Sequence, residues 1–273
     1  MKRPVALYMV FITLLIFVFF LLNLLLGSVS IPFKEVWQIL WGNSHGNEIW
    51  YNIIWKSRIP QALTALVAGA GLSVSGLQMQ TVFRNPLAGP SVLGISSGAS
   101  MGVAFVVLLS GTLGGVALSK IGIMGEIALT LSAIIGSLSV MALIIFVSQK
   151  VKGNVTLLII GVMVGYVANA VIGVLKYFSV EEDIRAYVIW GLGSFARVSG
   201  NQMTLFVSIM LVLLPVSFLL VKTLNLLLLG DAYARNLGLN IKRARLQVIT
   251  CSGVLVAIVT AVSGIKYLWD NRG

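Results

Sequence analysis

Residues 84–100 read RNPLAGPSVLGISSGAS, and they separate an apolar run at about 60–82 from another that starts near residue 92. The stretch holds one arginine, two prolines and three glycines. A proline removes a backbone donor and disfavours helical angles in the residue before it, so Pro86 and Pro90 keep the two flanking helices from fusing. Arg84 marks where the chain leaves the apolar phase. Beyond the turn, Gly94, Gly98 and Gly102 recur at every fourth residue, which places them on one stripe of a helix. The segment reads as a tight turn between two long apolar helices.

The same pattern extends in both directions. Seven apolar runs are long enough to cross a bilayer as helices, at roughly 5–27, 60–82, 92–110, 121–147, 155–175, 203–221 and 246–264. Of the 273 residues, 58% are hydrophobic and 10% charged, with a mean hydropathy of +1.01. Soluble domains carry about 25% charged residues, so the solvent for this surface is lipid. The expected fold class is an all-α integral membrane protein of about seven transmembrane helices, forming a single transmembrane domain over residues 1–273. The first run is longer than the apolar core of about 7–15 residues found in a cleaved signal peptide, and it reads as an uncleaved span.

The net charge of +11 is spread over short loops, which argues against a nucleic-acid-binding face. With the N-terminus inside, the inner segments 1–4, 83–91, 148–154 and 222–246 hold ten of the 19 Lys and Arg residues. The outer segments hold nine, at lower density, so density favours this orientation. Outer residues 28–58 carry Trp37, Trp41, Trp50, Tyr51 and Trp55, which suit the headgroup layer. They predict a short amphipathic helix on the outer surface with Pro32 near its start. His45, in the polar loop SHGN, has no partners at ligand spacing and reads as solvated. Cys251 lies within an apolar run and reads as a packed thiol.

Several kinds of chemistry are disfavoured. The chain has no GxxxxGK[ST] phosphate loop, and one histidine and one cysteine preclude HExxH and CxxC motifs. No nucleophile is paired with a base, and no cofactor or metal is called for. Glu126, near one end of the fourth run, is the sole acidic candidate inside a span, so a proton-coupled mechanism is also disfavoured.

Two features remain. Gly94, Gly98 and Gly102, with Gly161, Gly165, Asn169 and Gly173, form small-residue stripes that serve either helix packing or a transport path. The longest inner segment, TLNLLLLGDAYARNLGLNIKRARLQ at 223–247, contains DAYARNLGL, which reads as a short amphipathic helix ended by Gly238. Asp231 would stand at its positive dipole end. The segment is either a solvated loop with topology-setting charges or a docking element for a cytoplasmic partner.

Residues 57–102, SRIPQALTALVAGAGLSVSGLQMQTVFRNPLAGPSVLGISSGASMG, and 228–239, LLGDAYARNLGL, resemble the FecCD family of ABC-transporter permeases. That family imports ferric siderophores, haem or vitamin B12 in bacteria. The resemblance implies a ten-helix permease in the bacterial inner membrane. It also implies a second permease subunit forming a homodimer, a cytoplasmic ABC ATPase dimer and an extracytoplasmic substrate-binding protein. By resemblance, Gly230, Asp231, Ala234, Arg235, Leu237, Gly238 and Leu239 lie at the ATPase contact, with Ala234 and Leu237 on the apolar face. Arg58 matches the first arginine of an R-x-P-R segment that faces the binding protein. Gln61 stands in place of the second, and Lys56 is offered as its substitute. After Gly264 the family continues with about three more helices, whereas IKYLWDNRG follows here, so the chain is expected to be truncated relative to the family. Two further readings stay open: a secondary transporter without an ATPase, and a non-functional remnant of a permease.

Overall fold

The computed structural model describes residues 2–42, 47–112, 123–151, 153–195, 198 and 200–264. His45, the IKYLWDNRG end and the side chain of Glu126 lie outside what is described. The helices are α1 (Lys2–Leu25), α2 (Phe33–Leu40), α3 (Glu48–Ile53), α4 (Ile59–Phe83), α5 (Ile95–Thr112) and α6 (Ile123–Lys150). They continue with α7 (Asn154–Phe178), α8 (Glu181–Leu192), α9 (Gly200–Phe218), α10 (Val221–Leu228), α11 (Asp231–Asn236) and α12 (Ile241–Gly264). Among the described residues, six stretches are long and apolar enough to cross a membrane: Val5–Leu25, Glu48–Phe83, Ile127–Lys150, Val155–Phe178, Gly200–Phe218 and Ile241–Ser263. The remaining expected span is the apolar helix α5. Leu7, Phe11, Ile135, Phe146, Met163 and Leu211 all project outward, as lipid permits and water does not.

The described residues form two compact units, Met1–Leu66 with Phe195–Val207, and Val67–Ser194 with Ser208–Gly273. In the first, Leu24, Ile31, Val36, Ile39 and Ile54 form the buried centre. The predicted surface helix is α2: Pro32 precedes it, and Val36 and Ile39 point inward. Phe33, Trp37 and Trp41 ride on its exposed side as a ladder with centroids 6.3 and 5.8 Å apart.

The second expected span begins earlier than its apolar run. Helix continues without a break from Glu48 to Phe83 through a π-helical turn at Ile54–Arg58, where the Ile59 N–H bonds the Ile54 carbonyl. Pro60 has no N–H for the ordinary bond to Lys56, and widening the preceding turn absorbs that loss.

In the second unit α5 is central, packed by α6, α7, α8 and α12. The α5–α6 contact rests on glycine: a Cβ at Gly102 would collide with the Ser132 carbonyl oxygen, and one at Gly136 with the Gly98 carbonyl oxygen. The C-terminal half of α4 is joined to α12 by Ser75 and Ser252, whose hydroxyls lie 2.5 Å apart, one donating to the other, with the carbonyl of the partner residue 3.3 Å away for the remaining proton. Such polar links between apolar helices add about 1 kcal/mol in lipid. Helix α8 was not expected from the sequence. Its first turn, Glu181–Asp183, is acidic and it is too short to span, but Tyr187 and Trp190 are buried against the bundle.

Candidate functional site

The chemistry-bearing residues converge at the end of the second unit that carries the RNPLAGP turn. Helix α4 closes in a Schellman-type pair, Arg84 N–H to the Thr81 carbonyl and Asn85 N–H to the Gln80 carbonyl. The residue in the left-handed position of that closure is Arg84, at φ 48°. Glycine is favoured there, and a side chain adds about 1 kcal/mol of backbone strain. Helix α11 closes in the same way, Gly238 N–H to Arg235 and Leu239 N–H to Ala234, with Gly238 at φ 86°. Its start is Gly230 at φ 106°, so glycines bound it on both sides.

Asp231, the first residue of α11, binds two guanidinium groups. Arg84 Nη2 lies 2.5 Å from Oδ1, and Arg245 Nη2 lies 2.6 Å from Oδ2. Arg84 also donates to the carbonyl of Leu227, the penultimate residue of α10, at 3.3 Å. One carboxylate thus joins the α4–α5 turn, the α10–α11 corner and α12. This linkage was not read from the sequence, although a signal existed. Asp231 is the sole acidic residue in the four inner segments, which hold ten basic ones.

Among the expected docking residues, Ala234 and Leu237 do not share a face. Ala234 is 0% exposed, within the cluster that holds Leu224, Leu227, Ile241 and Ala244, whereas Leu237 is 62% exposed. The six-residue helix turns Ala234 inward to seat itself. Tyr233, Arg235 and Leu237 point outward, Gly238 is exposed, and Gly230, Asp231 and Leu239 are partly covered. Leu228 and Leu229 are exposed just before α11, and Leu87 in the RNPLAGP turn is 87% exposed.

Arg58 also departs from expectation. It is 5% exposed in the first unit, and its guanidinium donates to the carbonyls of Leu24, Leu25 and Val29 at and beyond the end of α1. Those carbonyls lack helical partners, and the cation meets the negative end of the helix dipole. A Cβ at Gly27 would stand 3.0 Å from Arg58 Nη2, so a larger residue there would make the guanidinium give way by a few tenths of an ångström. Lys56 is exposed.

The small-residue stripes divide. Gly98 and Gly102 pack on α6, while Gly94, Gly161 and Gly165 meet one another closely: a Cβ on Gly94 would lie 3.0 Å from the Gly161 carbonyl oxygen. Asn169 and Gly173, further along α7, are exposed. Residues 94–98 also match G-x-S-x-G, the spacing of a hydrolase nucleophile. Here Ser96 sits in the first turn of α5 with its hydroxyl 3.4 Å from that of Thr260, a packing contact between α5 and α12.

Comparison with known proteins agrees with this architecture. Residues 14–266 match the profile of the FecCD transport family. The chain is 33% identical over 241 residues to the hemin transport system permease protein HmuU of Yersinia pestis, covering 88% of this chain and 69% of the relative. It is 35% identical over 240 residues to the vitamin B12 import system permease protein BtuC of Serratia proteamaculans, covering 86% and 67%. Its fold superposes on a metal-chelate type ABC transporter in an inward-facing conformation with a TM-score of 0.76 and 30% identity, covering 96% of this chain and 76% of that one.

Proposed function

The chain belongs to the FecCD transport family, and from that membership we propose that it is the permease subunit of a bacterial ABC importer. Its substrate is an iron chelate, as a ferric siderophore or haem, or vitamin B12. It works in the cytoplasmic membrane with the N-terminus and the α11 end inside. A second permease subunit completes the pathway, a separate ATPase dimer supplies the energy, and an extracytoplasmic binding protein delivers the cargo. The work done by the chain itself is conformational: partners that bind two states unequally shift the population between them.

The observation that carries this reading is α11. It is a short helix bounded by two glycines in left-handed or otherwise glycine-favoured geometry, seated by Ala234 and tied down by two arginines. It presents Tyr233, Arg235 and Leu237 outward beside exposed Leu228 and Leu229. Helix-in-groove docking uses apolar anchors spaced in this way, here Tyr233 and Leu237 rather than Ala234. On the outer face, the contact with the binding protein falls to Lys56, since Arg58 is committed to α1. Asn169 and Gly173 are the stripe residues left to border the path.

The test is capture of the ABC ATPase encoded beside this chain by an affinity-tagged permease in detergent. Leu237→Asp, which changes an exposed side chain, should reduce capture at least tenfold while the permease keeps its yield. Undiminished capture would remove α11 from the docking surface. Uptake of haem, cyanocobalamin or a ferric siderophore into proteoliposomes bearing the assembled transporter then distinguishes the substrate.

A further inference from the structure

We propose that Arg84, Asp231 and Arg245 form a joint that carries displacement of α11 into the α4–α5 turn and into α12. The proposal rests on α11 being the element the ATPase grips. Three observations support it. First, the contact geometry is convergent: each oxygen of one carboxylate is held by a different guanidinium, at 2.5 and 2.6 Å, and each guanidinium belongs to a different element. Charge-assisted bonds of this kind resist separation while permitting rotation, as a joint requires.

Second, Arg84 occupies a backbone position that disfavours it. It is the one non-glycine residue with positive φ among the described residues, in a closure where α11 uses Gly238. A residue kept in strained geometry is explained by what its side chain does. Here the side chain spans from the turn to Leu227 and Asp231. Third, the elements joined lead into the bundle. The α4–α5 turn continues into α5, the helix that α6, α7, α8 and α12 surround. Arg245 lies in the second turn of α12, which Ser252 fastens to α4 at Ser75. Movement of α11 by the ATPase therefore reaches two core helices through one carboxylate. Burial alone would anchor α11 through Ala234 but would not engage the turn.

The backbone strain makes a discriminating experiment possible. Arg84→Gly relaxes the turn while deleting one arm of the joint, and Arg245→Gln deletes the other. The complete transporter, with its ATPase and binding protein, is reconstituted in proteoliposomes, and substrate transported per ATP hydrolysed is measured. Both variants should still capture the ATPase, since burial of Ala234 continues to seat α11, and transport is compared per ATP hydrolysed so that any change in basal hydrolysis is divided out. Transport per ATP should fall at least tenfold, and stimulation of hydrolysis by the loaded binding protein should be lost. The thermal midpoint of Arg84→Gly should be no lower than that of the unaltered permease. Transport per ATP within twofold of normal in both variants would overturn the proposal. So would loss of ATPase capture, which would mean that the triad only shapes the docking surface. If the unaltered permease captures no ATPase, the functional reading fails and the joint fails with it, a pattern distinct from failure in the variants alone.

Discussion

Arg58 carries a cation where the chain has little water to solvate it. Its partners are three backbone carbonyls, and no anion is needed because the end of α1 supplies negative potential from the peptide dipoles. Removing a buried charged donor costs about 1.5–3 kcal/mol per bond lost. The glutamine amide can keep at most two of the three bonds, so Arg58→Gln should destabilise the permease by at least about 1.5–3 kcal/mol, read as a lower thermal midpoint in detergent, whereas Lys56→Gln should leave the midpoint unchanged. Equal midpoints for Arg58→Gln and the unaltered chain would remove the anchoring role. Asp231 follows the opposite logic. Its arginines are partly solvated, with 40% and 23% of their side-chain surfaces exposed, so they position more than they stabilise.

Among the elements, the α5–α6 pair shows what the glycine stripe does. Lipid is as apolar as leucine, so two spans gain nothing by hiding apolar surface and must instead approach closely. Gly98 and Gly102 on one helix and Gly136 on the other allow backbone to meet backbone. Gly102→Leu would push the helices apart at their closest point, an overpacking penalty of about 1–3 kcal/mol or more. The expected result is a lower thermal midpoint and faster trypsin cleavage. Gly173→Ala, at an exposed position with open space around it, should leave both unchanged. If Gly102→Leu matched the unaltered protein, the contact would not be close-packed in the membrane.

For the whole molecule, the spans and turns set which residues share a side. The RNPLAGP turn and α11 are bonded to each other and so lie on one side, with the α7–α8 junction reached by odd numbers of crossings from them. With Cys251 replaced by serine, a cysteine at Leu87 should react with a membrane-impermeant maleimide only when the cytoplasmic face is open. A cysteine at Glu181 should react in intact cells. Labelling of position 87 in intact cells would invert the proposed topology.

Hydropathy and turn chemistry were sufficient to read the helical class, the approximate spans and the RNPLAGP turn. Spans need about 20 consecutive apolar residues whatever they pack against, and proline acts on its own neighbours. The amphipathic α2 was legible for the same local reason. The resemblance carried by residues 57–102 and 228–239 pointed to the family before any fold was known. What only the tertiary structure decided depends on which surfaces meet. Helix α8 is not legible in the sequence because its acidic start masks an inward face of Tyr187 and Trp190 that only burial reveals. The glycines of α5 are packing residues because Ser132 and Gly136 lie opposite them. Arg58 reads as a surface charge until α1 is placed beside it, and Ala234 reads as an outward anchor until α10 and α12 close over it. Asp231 lies 147 residues from Arg84 in the chain, a separation that local sequence patterns do not bridge and folding reduces to hydrogen-bond distance.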